Sequence, residues 1–219
     1  AREKGLPLVN IAQPFKSSGM MLTCRKDMGV NSTDDLKGKT LGVWFYGNEY
    51  PFLSWMSRLG LATDGSADGV TVLKQGWGVE PLTEGQAACV STMSYNEYWV
   101  VRDAGYSPEQ LTVFKYQTEG ASTLEDGLYV LEKNLGDSSF KDKMVRFVRA
   151  SMKGWKYAEA NPKEAASIIL DNDDAGVQTE KHQVRMMGEI AKLTAGSNGA
   201  LDPADYQRTV KVLMSGASD

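Results

Sequence analysis

Short apolar segments alternate with amphipathic ones through the first half of the chain. The nearly continuous apolar run Thr40–Phe45 is typical of a strand buried on both faces. Comparable runs at Val70–Leu73, Ala87–Ser91 and Leu111–Phe114 predict three more strands. The segment after Pro51 has apolar residues at helical spacing, and proline suits a first helical turn. This alternation predicts a mostly parallel sheet covered on both faces.

The two ends of the chain follow a different pattern. Leu8–Ala12 and Met20–Cys24 are predicted strands joined through a small-residue kink, which suits a crossing between two lobes. Beyond Gly120 one more strand is predicted at Leu128–Leu131, and the remainder is predicted to be helical. Its helices are predicted from residue 138, from residue 162, around residue 184 and from residue 203 to 213.

Capping residues and tryptophans mark individual helices. Ser94 and Glu97 have the spacing of a capping box, which predicts a helix start at Ser94 and favours structural roles for both. Trp55, Trp99 and Trp155 fall on the apolar faces of predicted helices, so we expect them in the core.

Composition and charge narrow the classes of protein. The chain has 219 residues, 42% hydrophobic and 24% charged, as is ordinary for a globular protein. A formal net charge of -4 argues against nucleic acid as a partner, because such proteins usually carry a basic face. No apolar run approaches the roughly 18 residues of a membrane-spanning helix. The chain begins at Ala1 without an initiator methionine, so we expect a start downstream of translation initiation or processing.

The cysteines and the single histidine limit the available chemistry. Cys24 and Cys89 fit one disulfide, two buried thiols or neither; their apolar strand-like surroundings favour buried thiols. His182 lies on a predicted helix away from its apolar stripe, so a surface position is predicted. A histidine-based catalytic triad, a multi-histidine zinc site and a CxxC redox site are all excluded. We predict no catalytic residue, no metal site and no cofactor.

The loops after the strands carry the candidate ligand-binding residues, because ligands of open α/β sheets bind at the carboxyl ends of strands. The candidates are Asn48, Glu49, Tyr50, Gln75, Trp77, Thr92, Met93, Tyr95 and Glu119. They are rich in amide, hydroxyl, carboxylate and aromatic groups, with Lys74 at their margin and no arginine. Such a set suits stacking on a flat ring that a few polar groups orient.

Two of these candidates also fit structural roles. Glu49 lies near a predicted helix N-terminus, where a carboxylate complements the helix dipole, although it is equally an acceptor for amino groups. Trp77 stands between two glycines and fits a packing role under a loop as well as a binding role.

Several stretches resemble ABC-importer binding proteins of the thiamine-pyrimidine-precursor family, which has sulfonate- and nitrate-type relatives. These stretches are Val9–Gln13, Ser32–Val43, Gly47–Phe52, Ser91–Tyr98 and Leu124–Val130. Their order and spacing extend the resemblance over essentially the whole chain.

The resemblance implies an α/β fold of the periplasmic-binding-protein type (type II), whose two lobes close on ligand about crossing strands. It implies that residues 17–119 form one complete mixed-sheet lobe. Residues 1–16 and 120–219 would be a helical remainder of the second lobe, whose N-terminal part is not in this sequence. An incomplete lobe is expected to expose apolar surface, which favours a homodimer.

The resemblance also implies a periplasmic transport protein that captures a small-molecule solute for a membrane permease and is not an enzyme. The leading hypothesis is a flat amino-heteroaromatic such as a thiamine pyrimidine precursor. Glu49 would read its amino groups, and Tyr50 or Trp77 would stack on its ring. In pyrimidine-binding relatives a Gly-Glu-aromatic turn contacts the ligand; Gly47-Asn48-Glu49-Tyr50 is similar, with Asn48 inserted.

Three alternatives remain open. A sulfonate, nitrate or other small anion would call for Arg, Lys or bare helix N-termini in the site. An enzyme is the second alternative, since fungal relatives make the pyrimidine itself using pyridoxal phosphate, but their Cys/His-rich motif has no counterpart here. The effector lobe of a transcriptional regulator would be preceded by a DNA-binding helical module, which this sequence does not show.

Overall fold

A computed structural model describes residues 5–216, in which strands and helices alternate up to residue 115 and helices dominate thereafter. The strands are β1 (Leu8–Ala12), β2 (Met20–Arg25), β3 (Thr40–Val43), β4 (Thr71–Lys74), β5 (Cys89–Met93), β6 (Leu111–Lys115) and β7 (Leu128–Leu131). The helices are α1 (Glu49–Arg58), α2 (Glu80–Thr83), α3 (Glu97–Asp103), α4 (Ser138–Ala160), α5 (Pro162–Asp171), α6 (Glu180–Thr194) and α7 (Pro203–Gly216).

The chain divides into two compact units. The sheet unit consists of Ser18–Thr123 and of the chain from Gln207 onward. The helical unit consists of the chain up to Ser17 and of Leu124–Tyr206. This division differs from the predicted lobes at the end of the chain, because the residues from Gln207 onward group with the sheet unit. That the two units are a complete and a partial lobe stays a prediction.

The sheet unit contains five strands in the order β4-β3-β5-β2-β6. β3 pairs in parallel with β4 and with β5, whereas β2 is antiparallel to both β5 and β6. Four strands therefore run in one direction and β2 runs against them. The predicted mostly parallel sheet is confirmed, and the carboxyl ends of β3, β4 and β5 meet at one edge.

Apolar side chains fill both faces of this sheet. Cys89 and Val90 are neighbours on β5, so they point to opposite faces, and they belong to different clusters. The larger cluster surrounds Trp55, whose ring centroid lies 5.4 Å from that of Phe114 and 5.6 Å from that of Tyr116. Trp55 is 2% exposed, which confirms its predicted place in the core. The cluster on the other face consists of Val79, Leu82, Ala87, Val90, Val101 and Leu111.

Cys24 and Cys89 form a disulfide between the paired strands β2 and β5. The favoured prediction of two buried thiols was therefore wrong. The two residues are 65 positions apart in sequence and stand opposite each other only because β2 and β5 pair in this register. Sequence spacing alone does not contain that register.

Some helix predictions were wrong in detail. The Ser94 capping box does not form, because α3 begins at Glu97 and Asn96 occupies its N-cap position. Trp99 is only partly buried and its indole N–H donates to the carbonyl oxygen of Ser94 at 3.0 Å. Trp155 is likewise only partly buried.

The helical unit combines an antiparallel pair, β1 and β7, with α4, α5 and α6. α4 is capped by Asp137, whose Oδ1 accepts from the backbone N–H of Ser139 at 2.8 Å. The predicted proline start of α5 at Pro162 is confirmed. His182, predicted at the surface, is partly buried in the first turn of α6. Among the described residues, no helix is long and apolar enough to cross a bilayer.

Candidate ligand-binding site

A concave pocket of about 440 Å³ lies where the carboxyl ends of β3, β4 and β5 meet. Three loops contribute to it, one after each strand, as the topology of an open α/β sheet dictates. The lining residues are Trp44, Phe45, Tyr46, Asn48, Lys74, Gln75, Gly76, Trp77, Met93 and Glu97.

Aromatic side chains dominate the pocket wall. Trp44 donates its indole N–H to the carbonyl oxygen of Gly76 at 2.9 Å, which joins the loop after β3 to the loop after β4. Trp77 and Tyr46 are 95% and 92% exposed, so their rings offer large apolar faces to solvent. Such faces are costly to leave uncovered and suit stacking on a flat partner.

The loop after β3 has a constrained backbone. Tyr46 has a φ of 67°, a left-handed conformation that is unfavourable for a residue with a side chain, and Gly47 follows with a φ of 115°. Strained residues of this kind concentrate at ligand-binding sites. The turn directs the chain from β3 into α1.

Gln75 holds the loop after β4 against β5. Its side-chain amide accepts from the backbone N–H of Ser91 at 2.8 Å and donates to the Ser91 carbonyl oxygen at 3.0 Å. The same amide also donates to the carbonyl oxygen of Gly78 at 3.0 Å. Trp77 lies between Gln75 and Gly78 in the sequence, so these hydrogen bonds constrain the loop that carries it.

Among the lining residues, Glu97 is the one with a carboxyl group and Lys74 is the one with an amino group. Glu97 accepts from the backbone N–H of Met93 at 2.9 Å and from the Asn96 side-chain amide at 2.7 Å. Burial raises the pKa of Glu97 above its ordinary value, and these hydrogen bonds offset only part of that effect. The Lys74 ammonium lies 4.8 Å from the ring centroid of Tyr46 and 5.6 Å from that of Phe45.

The structure brings four of the nine predicted site residues into this pocket. They are Asn48, Gln75, Trp77 and Met93. Trp77 is exposed, so it is not a packing element under its loop. Tyr50, which is 41% exposed, and the partly buried Tyr95 are not among the lining residues.

Three further predicted residues are not among the lining residues of the pocket. The Glu49 carboxylate accepts from the backbone N–H of Gly47 at 2.6 Å, so it stabilises the turn before α1. Thr92 is fully buried and its hydroxyl lies 2.7 Å from that of Thr23 on β2. Glu119 follows β6, which is separated from β5 by the antiparallel strand β2. The carboxyl end of β6 lies at the same edge of the sheet as those of β3, β4 and β5, but Glu119 is not among the lining residues, so its contact with a ligand stays a prediction.

Sequence reasoning missed Trp44, Phe45, Tyr46 and Glu97 as pocket residues. The first two continue an apolar run that predicts strand throughout, but β3 ends at Val43. Glu97 fits a capping role in the sequence, which hides its place in the pocket. The signal that could have found it is its position just beyond the end of β5, close to Met93.

A larger groove of about 570 Å³ lies on the helical unit, along α4. Its lining is aliphatic and methionine-rich with a basic rim, and contains no aromatic ring and no carboxylate. None of the 23 residues of α4 is buried, so the groove is one side of an uncovered helix face. It lacks the convergent polar groups of a solute site. The homodimer expected from the incomplete lobe stays a prediction.

Solved structures with this arrangement of strands and helices identify its class. A protein of Bordetella bronchiseptica RB50 superimposes with a TM-score of 0.68 at 16% identity, over 100% of this chain and 69% of that one. The periplasmic aliphatic sulphonate-binding protein SsuA of Escherichia coli does so with a TM-score of 0.67 at 14% identity, over 99% and 65%. The fold is that of the type II periplasmic binding proteins, as predicted.

Within that class the family is also defined. The chain belongs to the NMT1/THI5-like family, whose model matches residues 1–165. A formylaminopyrimidine-binding protein of Halalkalibacterium halodurans is 23% identical over 97% of this chain. The chain spans 64% of the length of that curated relative.

Proposed function

We propose that this chain is the substrate-binding component of an ABC importer and that its pocket captures a flat amino-heteroaromatic solute. The observation that carries the proposal is the set of four aromatic side chains that line one pocket at the strand ends: Trp44, Phe45, Tyr46 and Trp77. Aromatic walls with a few convergent polar groups are typical of sites for small planar molecules.

The class of ligand is supported by the chemistry of the pocket and by one relative. Trp77 and Tyr46 expose nearly their whole rings, which stacking on a planar ligand would cover. Glu97 supplies an acceptor for amino groups, the role that the sequence assigned to Glu49. The curated relative is named for binding a formylaminopyrimidine, so a pyrimidine precursor of thiamine is the specific solute proposed.

The disulfide supports a periplasmic location and a binding role. Disulfides persist in oxidising compartments such as the periplasm, where a solute-binding protein delivers its cargo to a membrane permease. The Cys24–Cys89 bond also leaves neither sulfur as a free thiol nucleophile. A role as an enzyme therefore has no support in these two residues.

A small anion is the second candidate, and Lys74 favours it. Its ammonium lines the pocket and contacts the rings of Phe45 and Tyr46 and the hydroxyl of Tyr46 at 3.3 Å. Within the described residues it has no carboxylate at ion-pairing distance, so its charge is available to a sulfonate or nitrate.

Isothermal titration calorimetry of the full chain separates the candidates. The titrants are a 4-aminopyrimidine with a formylamino arm, an alkyl sulfonate and nitrate. We expect that, of the three titrants, only the aminopyrimidine binds. The Trp77→Ala variant should bind it about tenfold or more weakly than the unsubstituted chain does, because the stacking surface is lost. Binding of the sulfonate or nitrate with none of the aminopyrimidine would favour the second candidate. The matched control is Tyr129→Ala, which removes an exposed aromatic ring from the helical unit. A tyrosine is used because, among the described residues, no tryptophan outside the pocket is exposed.

A further inference from the structure

The pocket carries one acid and one base, and they belong to different walls. Glu97 begins α3, in the loop region after β5, whereas Lys74 ends β4. β3 lies between β4 and β5 in the sheet. A ligand that fills the pocket therefore meets a carboxylate from the region after β5 and an ammonium from the end of β4.

Glu97 is held by neutral donors only. One carboxylate oxygen accepts from the backbone N–H of Met93 and the other from the side-chain amide of Asn96. The backbone N–H of Glu97 itself also donates to this carboxylate, so of the four acceptor positions on its two oxygens one remains for a further donor. Glu97 is partly buried and has no cation beside it among the residues that the structure describes, which is costly, and a donor from a ligand would offset part of that cost.

The ammonium of Lys74 lies against aromatic rings of the loop after β3. The Tyr46 hydroxyl and the faces of Tyr46 and Phe45 fix the position of its ammonium without neutralising it. An ammonium has three donors and no acceptor, so it selects a carbonyl, carboxylate or other acceptor on the ligand.

We propose that Glu97 and Lys74 set the ligand's orientation, so that the solute carries a donor edge, such as an amino group, at one end and an acceptor group at the other. The ring between them lies against the aromatic wall. This inference rests on the proposed function and deepens it, because it names Glu97 and Lys74 as specificity-determining residues. A planar molecule with only one of the two groups satisfies only one wall.

The test is a set of calorimetric titrations of the full chain with three matched ligands. The first is a 4-aminopyrimidine with a formylamino arm, the second lacks the ring amino group, and the third carries an alkyl group in place of the formylamino arm. The variants are Glu97→Gln and Lys74→Met. Lys74→Arg keeps the positive charge, and Lys115→Met and Glu84→Gln are controls on exposed residues outside the pocket.

We expect Glu97→Gln to weaken binding of the amino-bearing ligands about 10- to 100-fold, as expected for loss of a hydrogen bond to a charged group. The ligand without the amino group should bind this variant as it binds the unsubstituted chain. Lys74→Met should weaken only the ligands with the formyl oxygen, and Lys74→Arg should restore most of that affinity.

Equal weakening of all three ligands by either variant would overturn the inference, because it would show a structural role. So would unchanged affinities. If the unsubstituted chain binds none of the three ligands, the proposed function fails and this inference fails with it. Thermal melting of each variant tests folding. Glu97→Gln is expected to fold, because the carbonyl oxygen of the introduced glutamine can still accept from the Met93 N–H.

Discussion

The side chain of Gln75 pairs with the backbone of Ser91 as a neighbouring strand would. Its carbonyl oxygen accepts from the Ser91 N–H at 2.8 Å and its amide donates to the Ser91 carbonyl at 3.0 Å. β4 does not pair with β5, because β3 lies between them. β3 has Gly42 at the crossing point, where an added Cβ would lie 3.2 Å from the Gln75 Oε1. The small residue on β3 thus leaves room for the side chain that ties the Trp77 loop to the sheet.

Replacing Gln75 should cost stability and ligand affinity together. Gln75→Ala leaves the Ser91 N–H and carbonyl without their partner in a buried place, which is expected to cost about 1–3 kcal/mol. Gln75→Glu keeps an acceptor for the N–H but loses the donor, so at neutral pH it should be no better. Urea unfolding measures the first effect and calorimetry the second. Unchanged stability in both variants would contradict the role given to Gln75.

The Cys24–Cys89 disulfide should contribute measurably to stability. It closes a loop of 65 residues, for which the chain-entropy argument gives about 4 kcal/mol, and measured values are usually about 2–4 kcal/mol. The Cys24→Ala, Cys89→Ala double variant should therefore unfold at lower urea concentration. Mass spectrometry before and after alkylation under non-reducing conditions is the control. Alkylation of both cysteines in the untreated folded chain would show that the bond is absent.

Ligand binding should change the fluorescence of Trp77. Its ring is 95% exposed, so its emission in the free chain is that of a solvated indole. Stacking on a flat ligand should quench this emission or shift it to shorter wavelength. Trp77→Phe removes the signal but keeps a ring to stack on, so it should retain binding within several-fold. A ligand that binds the unsubstituted chain by calorimetry and leaves the Trp77 emission unchanged would remove this residue from the site.

Affinity for an amino-bearing ligand should depend on pH through Glu97. Burial raises the pKa of this carboxyl, so the folded chain holds the proton at a higher pH than an exposed glutamate does. Above the raised pKa the carboxylate accepts the ligand's donor, and affinity should fall as pH decreases through it. Calorimetry between about pH 4 and pH 8 measures this dependence.

The raised pKa of Glu97 affects the stability of the fold in the opposite direction to ligand affinity. A raised carboxyl pKa means that the folded state binds more protons, so its contribution to the free energy of unfolding falls as pH rises from the ordinary to the raised pKa. Glu97→Gln has no titrating group there and should lose both dependences. The ligand's own titration affects this variant and the unsubstituted chain alike, so their difference isolates Glu97. Parallel pH profiles would contradict the assignment.

The sheet could be predicted from the sequence because burial on both faces leaves a clear apolar run, as in β3. The pocket could be located because chain direction puts the ends of β3, β4 and β5 at one edge. That β2 separates β6 from the three strands whose loops line the pocket could not be predicted, because no local pattern records the antiparallel pairing of β2.

Individual side-chain roles were harder to predict because they depend on contacts distant in sequence. The buried hydroxyl of Thr92 meets Thr23, and Cys89 meets Cys24, only after β2 has paired with β5. Glu49 and Glu97 each begin a helix beside the pocket, and their contacts separate them: the Glu49 carboxylate accepts from the backbone N–H of Gly47, whereas Glu97 lines the pocket.

A crystal structure of the chain grown with a formylamino-bearing 4-aminopyrimidine would show where the solute binds. We expect the ring in the pocket at the ends of β3, β4 and β5, against the aromatic wall that includes Trp77. The amino group should lie within hydrogen-bonding distance of Glu97. A ligand bound with no contact to this pocket, such as one in the groove along α4, would disprove the proposed site.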